Sequence, residues 1–540
     1  MHLERTSRLI LTIAFLSNAL LVGSNRAQAL DNSKQTKHPQ PIVIPESSHD
    51  LSPPLRDMKI PASKVLPYHP YPRTDLGRSI SGPAQLSNAT KQAAASTGLN
   101  FEGIDARSGE QFPAPDPNGA VGATQYVQAV NTYLAVFNKS TGALQLGPFS
   151  LGSLWSGMSA PCGTSGEGDP IVQYDKLARR WVISHHATLS SSSYYECIAV
   201  STSSDATGSF YRYAFQVSSY WPDYPKMGVW PDGYYFSYDL DNQNNAYQFV
   251  GELVCSYNRT AMLAGSAATS VCFQVSSTYG PRLLPADLEL CPTCANGSLL
   301  PPAGEPNFFV NYQYSTGGLN LWQFHVDFQT PSNSTLTGPT FMQCQKFTPQ
   351  CPGGYHLCIP QLGSSQGLDA EGGVGLATGG LTYPLPYRRF PNGPEVLLAV
   401  HAIAPGAFHW YEIHNPTDQP WVYQQGTFAP DSSYRWNASI GMDQLGDIAV
   451  GYNASSSSIY PAIRYTGRVP SDPLTTLETE TSIMAGTGSE TSSGRWGDYS
   501  SLSIDPTDDC TFWYTGEYLM NSGILNWNTR IASFKFSSCP

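Results

Sequence analysis

The stretch Gly168-Asp169-Pro170-Ile171-Val172-Gln173-Tyr174-Asp175, followed after a short turn by Arg180-Trp181-Val182-Ile183-Ser184, decides the fold. It reads as an acidic lead-in, a first strand, a hairpin turn and an aromatic second strand. The pattern returns at Asp223-Tyr224-Pro225, continuing through Gly228-Val229-Trp230-Pro231-Asp232-Gly233 into Tyr234-Tyr235-Phe236-Ser237. It returns again at Arg495-Trp496-Gly497-Asp498-Tyr499, then Leu502-Ser503-Ile504-Asp505 and Thr511-Phe512-Trp513-Tyr514. Weaker copies begin at Asp116-Pro117-Asn118-Gly119, at Tyr434-Arg435-Trp436 leading to Gly446-Asp447-Ile448-Ala449-Val450, and near Leu368-Asp369. The strand-rich run Asn307-Phe308-Phe309-Val310-Asn311-Tyr312 supplies one more unit without an acidic lead-in.

A recurring unit outranks local propensity as a fold signal, because each copy must bury its apolar face against its neighbours. The copies number about seven over roughly 440 residues, or about 60 residues each, which suits four-stranded blades with loops. The expectation is an all-β chain: a seven-bladed β-propeller of four-stranded antiparallel blades over residues 101–540. Further strands of the second unit are legible at 197–201 and 210–214, divided by the turn Asp205-Ala206-Thr207-Gly208. A sandwich does not call for a unit repeated this often, and β-helix repeats are much shorter. The only helical pieces lie near 260–269.

Upstream, Arg5 and Arg8, the apolar run Leu9 to Val22 and the small-residue triplet Ala27-Gln28-Ala29 follow the order of a secretory signal peptide, assigned here to residues 1–29. Ser17 and Asn18 interrupt that run, and it is shorter than the roughly 20 residues a membrane span needs. Residues 30–100, rich in Pro, Ser, Gln and Lys, read as a flexible, disordered leader. The mature protein is therefore expected to be secreted, extracellular or periplasmic, without a membrane span, and monomeric.

Eleven cysteines in an exported chain should mostly pair. Cys162 with Cys197, Cys255 with Cys272 and Cys510 with Cys539 each fall within one unit. Cys291-Pro-Thr-Cys294 has redox or zinc spacing, but no second CxxC or histidine set accompanies it, so a loop disulfide is expected. One of Cys344, Cys351 and Cys358 is left over. Charged residues make up only 13% of the chain, and the net charge of −12 argues against nucleic acid as a partner.

Four of these motifs, Asp169-Pro170-Ile171-Val172-Gln173-Tyr174-Asp175-Lys176, Ala199 to Gly208, Asp223-Tyr224-Pro225-Lys226 and Arg495-Trp496-Gly497-Asp498-Tyr499-Ser500-Ser501, resemble a family of uncharacterised secreted bacterial proteins. The match runs from about Pro115 to the end. It implies export and a propeller with sialidase-like repeats, and it brings no established activity.

In a propeller the first strand of each blade lines a central channel, so the lead-in residues gather at one mouth. Asp116, Asp169, Asp223, Asp369 and Asp498 are the candidate ring, with Arg435 and Arg495 among them. Clustered carboxylates raise one another's pKa unless paired, hydrated or bound to a cation, and a Ca ion at this mouth is one such cation. The acids can shape turns, hold a ligand, or act as an acid/base pair on a glycosidic bond. Tyr224, Trp436, Trp496 and Tyr499 either give sugar rings a flat partner or pack between sheets. Sialidase-like chemistry would draw on Arg435, Arg464, Arg495, Tyr499 and Asp498.

Gly363-Ser364-Ser365-Gln366-Gly367 fits GxSxG without the strand–turn–helix setting that a nucleophile elbow needs. His185-His186 and the pair His409 and His414 lack a third metal ligand. The leading expectation is a secreted propeller binding a polar ligand, a glycan, at the channel mouth. The alternatives are a glycoside hydrolase or polysaccharide lyase using the same face, and a structural envelope or adhesion protein.

Overall fold

The structure is a computed structural model describing residues 39–58, 95–106, 112–159, 161–163, 168–245, 248–294, 298–351, 357–370 and 380–539. The signal-peptide assignment and residues 30–38 and 59–94 of the expected leader lie outside the described residues. Within them the chain is all-β, with one α-helix, Arg259–Ala264, capped by the Asn258 side chain accepting from the Ala261 amide and ended by Gly265 in the left-handed region.

The first sheet runs in order Asn118–Val121, Gln125–Val130, Tyr133–Asn138 and Leu144–Ser150. The second runs Ile171–Asp175, Arg180–Ser190, Ser193–Ser201 and Phe210–Ser218, and the third Trp221–Val229, Gly233–Asn242, Gln248–Asn258 and Thr269–Ser276. Two further antiparallel sets, from Leu284–Leu288 out to Thr335–Gln343 and from Leu385–Arg389 out to Trp421–Phe428, are joined where their leading strands pair in parallel, Ala286 opposite Leu385. Then come Tyr434–Met442, Ile448–Ser456, Ile459–Arg468 and Thr481–Met484. The last sheet orders Ser501–Ile504, Thr511–Tyr518 and Asn528–Phe536, and takes its outermost strand, Ala95–Asp105, from the front of the described chain.

The leading strands touch in sequence, from Asn118–Val121 through each sheet to Ser501–Ile504, which returns to Asn118–Val121. The result is a closed, propeller-like ring. Apolar clusters fill each junction: Val172, Trp181 and Ile183 of the second sheet meet Val127, Leu134 and Trp155 from the first. Closure is packed the same way, with Tyr126 and Val130 against Trp513 and Ile531. Because every sheet lies between two others, Ile171–Asp175, Tyr434–Met442 and Ile448–Ser456 are buried at every position. Their sequences accordingly lack clean alternation.

Two expectations are corrected. The leader is not flexible throughout: Ile42–Pro45 adds an outer strand to the third sheet and Ser48–Leu51 one to the second. The outermost strands of these sheets offer open backbone edges, and a short alternating segment satisfies them. Arg212 holds the addition by donating from Nε to Asp50 Oδ1 at 2.7 Å. Likewise Leu368-Asp369 does not open a sheet. Ser364–Asp369 pairs with Leu357–Gln361 in a separate hairpin, and the leading strand of that region is Leu385–Arg389.

Disulfides join Cys162 to Cys197, Cys255 to Cys272, Cys291 to Cys294, Cys351 to Cys358 and Cys510 to Cys539, leaving Cys344 as a buried free thiol. No helix among the described residues is long and apolar enough to cross a membrane.

Candidate functional site

Five leading strands carry a non-glycine residue in an unusual backbone conformation, either just before the strand or at its fourth position. Asp116, Asp169, Tyr224, Arg282 and Asn437 have φ of 42°, 51°, 53°, 64° and 50°. Non-glycine residues rarely occupy this region, and such strain persists only where surrounding contacts over-determine it. The contacts here converge on the turn Gly497-Asp498-Tyr499. The Asp498 N–H donates to Asp116 Oδ1 at 2.6 Å, the Tyr499 hydroxyl to Asp169 Oδ2 at 2.7 Å, and the Gly497 N–H to Glu517 Oε2 at 2.7 Å. Asn437 Nδ2 donates to the Gly497 and Tyr499 carbonyls, each at 2.9 Å. A Cβ on Gly497 would lie 3.0 Å from Pro117 Cδ and 3.1 Å from the Asp116 nitrogen, so a larger residue here would have to push the first and last sheets apart by a few tenths of an ångström.

Asn131 joins two of the carboxylate positions. Its Nδ2 donates to Asp116 Oδ2, and its Oδ1 accepts the Asp169 N–H at 2.8 Å. Arg495 spans two more, donating to Asp369 Oδ2 and, at 3.1 Å, to Asp498 Oδ2. Lys226 Nζ lies 3.3 Å from the centre of the Tyr224 ring and 3.5 Å from that of Tyr499, while the Arg282 guanidinium covers Tyr224 at 4.3 Å.

The electrostatics follow from burial in an acid-rich setting. Burial raises the Asp116 carboxyl well above its ordinary value, and Asp498 and Asp169 add to the rise. Asp223 is pushed up to about 7 by burial, then by Asp169, Asp239 and Asp498. Asp241, next to Asp223 and Asp239, is raised to about 8, chiefly by burial. Burial drives the Lys226 ammonium well below its usual value although Asp169 opposes the shift. Burial acts against the Arg495 charge, but Asp498 and Asp369 outweigh it and keep the guanidinium ionised.

Of the residues nominated from sequence, Asp116, Asp169, Asp369, Asp498, Arg495, Tyr224 and Tyr499 are brought together, with Asp223 electrostatically tied to Asp169 and Asp498. Three are not. Arg435 is turned to Glu480, donating from Nε and Nη2 at 2.9 Å each, and to Asp431 at 3.0 Å. Trp436 and Trp496 are fully buried and pack on each other at 5.5 Å, because a large ring beside a leading strand falls between sheets. Tyr224 and Tyr499 are buried, with Lys226 over one face of each ring, so neither offers a free stacking surface. Sequence reasoning passed over Asn131, Lys226, Arg282 and Glu517. Lys226 stood inside a quoted motif, whereas Asn131 carries no signal beyond that of a tight turn.

No three of these clustered carboxylates bring ligand oxygens within 4.8 Å of one another; the one such trio among the described residues is Asp443, Cys510 and Cys539, whose sulfurs are committed to a disulfide. Gly363, with φ 78°, turns a hairpin, so the GxSxG match is not a nucleophile elbow.

No protein-family model matches the sequence, and no curated protein aligns with it. Solved structures similar to the chain include the WD40 domain of SCAP from fission yeast, at 10% identity and a TM-score of 0.32, covering 76% of this chain and 82% of that one. The endo-arabinase from Bacteroides thetaiotaomicron follows at 12% and 0.27, covering 60% and 97%. The exo-β-1,3-galactanase from Phanerochaete chrysosporium has 12% and 0.27, covering 79% and 93%. Similarity at this level defines neither a common fold nor a common activity.

Proposed function

We propose that the protein is an exported, seven-bladed β-propeller that binds a polar extracellular ligand, a glycan, at the mouth lined by Asp116, Asp169, Asp223 and Asp498. Four-stranded sets led by Asn118–Val121, Ile171–Asp175, Trp221–Val229, Leu284–Leu288, Leu385–Arg389, Tyr434–Met442 and Ser501–Ile504 support the blade count. The observation that carries the ligand reading is that Asp169, Asp223, Asp498 and Arg495 stay partly exposed while the groups fixing them are buried. Such a rigid set of acceptors beside one donor suits a ligand rich in hydroxyl groups. Five disulfides fit an exported chain.

A second reading, glycoside hydrolysis, is favoured by one observation: Asp223 is raised to about 7, where a carboxylic acid can donate a proton near neutrality. A glycan array combined with a hydrolysis assay on the parent, Asp169→Asn and Asp498→Asn separates the readings. Binding that falls at least about tenfold in both variants, without turnover in the parent, supports the lectin-like reading. Turnover in the parent supports the hydrolase, and indifference of binding to both substitutions removes this mouth as the site.

A further inference from the structure

At the opposite end of the second sheet's leading strand lies a small cavity of about 140 Å³, lined by Ala123, Tyr174, Lys176, Arg179, Thr293 and Thr507 among others. By volume it holds the equivalent of roughly four or five waters. Its walls come from the first, second and last sheets and from the Cys291–Cys294 disulfide loop, whose Thr293 closes one side. We propose that this cavity binds a small oxyanion, a phosphate, sulfate or carboxylate group, held by Arg179 and the Tyr174 hydroxyl.

Three observations converge on it. The Tyr174 side chain is buried; the Ala123 N–H is directed at its phenol oxygen, but the O–H proton has no acceptor, and a buried donor left unpaired is costly unless something fills the space before it. The Arg179 guanidinium makes no ion pair among the described residues, although it is close enough to Tyr174 to oppose the rise that burial gives the phenol pKa. Arg179 also occupies its turn against local preference. Its φ is 54°, and at the matching turns of other sheets the left-handed residues are Asn392, Gly446 and Asp509, types that tolerate that conformation.

Charge at the cavity favours an anion. Lys176 pairs with Glu289, and Lys139 donates to Asp505 at 2.9 Å and to Thr507 Oγ1 at 3.0 Å, so the nearby carboxylates are already neutralised. Arg179 is left as the surplus cation lining the cavity, in a chain of net charge −12. A guanidinium beside a phenol O–H presents parallel donors to two oxygens of one anion, a geometry that an ammonium lacks.

Isothermal titration of the full exported chain with inorganic phosphate, sulfate and glucuronate, each alone, tests the proposal. Saturable binding is expected for at least one of them, weakened about tenfold or more by Arg179→Gln and less by Tyr174→Phe. Arg179→Gly is the control for folding: it relieves the turn, so its ligand-free Tm should equal or exceed the parent's while anion binding is lost. Binding of glucuronate alone names a carboxylate occupant, and binding of phosphate or sulfate names a tetrahedral one. Absence of saturable binding up to about 10 mM for all three, or unchanged affinity in both Arg179 variants, overturns it.

Discussion

The Asp498 N–H donates to Asp116 Oδ1 at 2.6 Å across 382 residues of sequence, so the turn that opens the last sheet is hydrogen-bonded to the residue that opens the first. Ser501 repeats the link, accepting from the Gly119 N–H at 2.9 Å and donating to the Gly119 carbonyl at 2.8 Å. The carboxylates Asp116, Asp169 and Asp498 are thus brought together by ring closure. A change that loosens the junction of first and last sheets should disturb this carboxylate cluster before it disturbs any single sheet.

Asn131→Ala tests that dependence. The side chain is buried, and its loss strips a donor from Asp116 and an acceptor from the Asp169 N–H. Taking one partner from the buried Asp116 carboxylate and one from the part-buried Asp169 N–H should lower unfolding free energy by about 1–3 kcal/mol. Urea unfolding followed by tryptophan fluorescence reads the change, and a loss below about 0.5 kcal/mol would mean that the bridge does not hold the carboxylate cluster together.

The disulfides should contribute unequally. Cys510–Cys539 spans 29 residues and Cys291–Cys294 only 3. On loop-closure entropy the paired substitution Cys510→Ala with Cys539→Ala should cost roughly 3.5 kcal/mol, and the corresponding change at 291 and 294 roughly 1.5 kcal/mol. Chemical denaturation of both double variants should rank them in that order; equal losses would show that native-state contacts around the bridges, rather than chain entropy, set their worth.

The repeat was legible because Asp-Pro lead-ins, Asp and Gly turns and aromatic second strands recur in one chain. It was misplaced near Leu368-Asp369, since an acidic residue closing a hairpin looks the same in sequence as one opening a sheet. Asp369 nevertheless joins the carboxylate cluster, through Arg495 and not through a leading strand. Trp436 and Trp496 show the opposite failure: adjacency to Arg435 and Arg495 in sequence says nothing of which face a side chain takes. Ile42–Pro45 and Ser48–Leu51 were hidden because strands added to an existing edge need only backbone partners and bury little of their own surface.

Glu196 gives a pH-dependent test. It is fully buried opposite His186, and burial raises its pKa to about 8 although the Ser184 hydroxyl opposes the rise. A carboxyl raised in the folded state keeps its proton while the unfolded chain ionises, so stability falls as pH climbs from about 4.5 to 8 and levels beyond. Glu196→Gln cannot ionise. Its advantage over the parent should be small at pH 5 and grow to the order of 4 kcal/mol by pH 9, read by urea unfolding at each pH; a constant difference would rule out an ionisable, buried Glu196.

Lys226 should behave with the opposite sign. Its side chain is fully buried against Tyr224 and Tyr499, and burial depresses its pKa well below the usual value. Below the unfolded value of about 10.4 the unfolded chain therefore binds the proton more readily than the folded one, and stability rises with pH through that window. Two ring contacts of roughly 1–2 kcal/mol each partly offset the burial of the charge, but the direction of the shift says that burial prevails. Lys226→Met keeps the apolar stem and removes the titration, so its stability relative to the parent should be greatest near pH 6 and shrink as pH approaches 10. If the relative stability instead stays level or grows with pH, the ammonium is better held in the folded protein than in water, and the Tyr224–Tyr499 pair would have to be counted as a cation site in its own right.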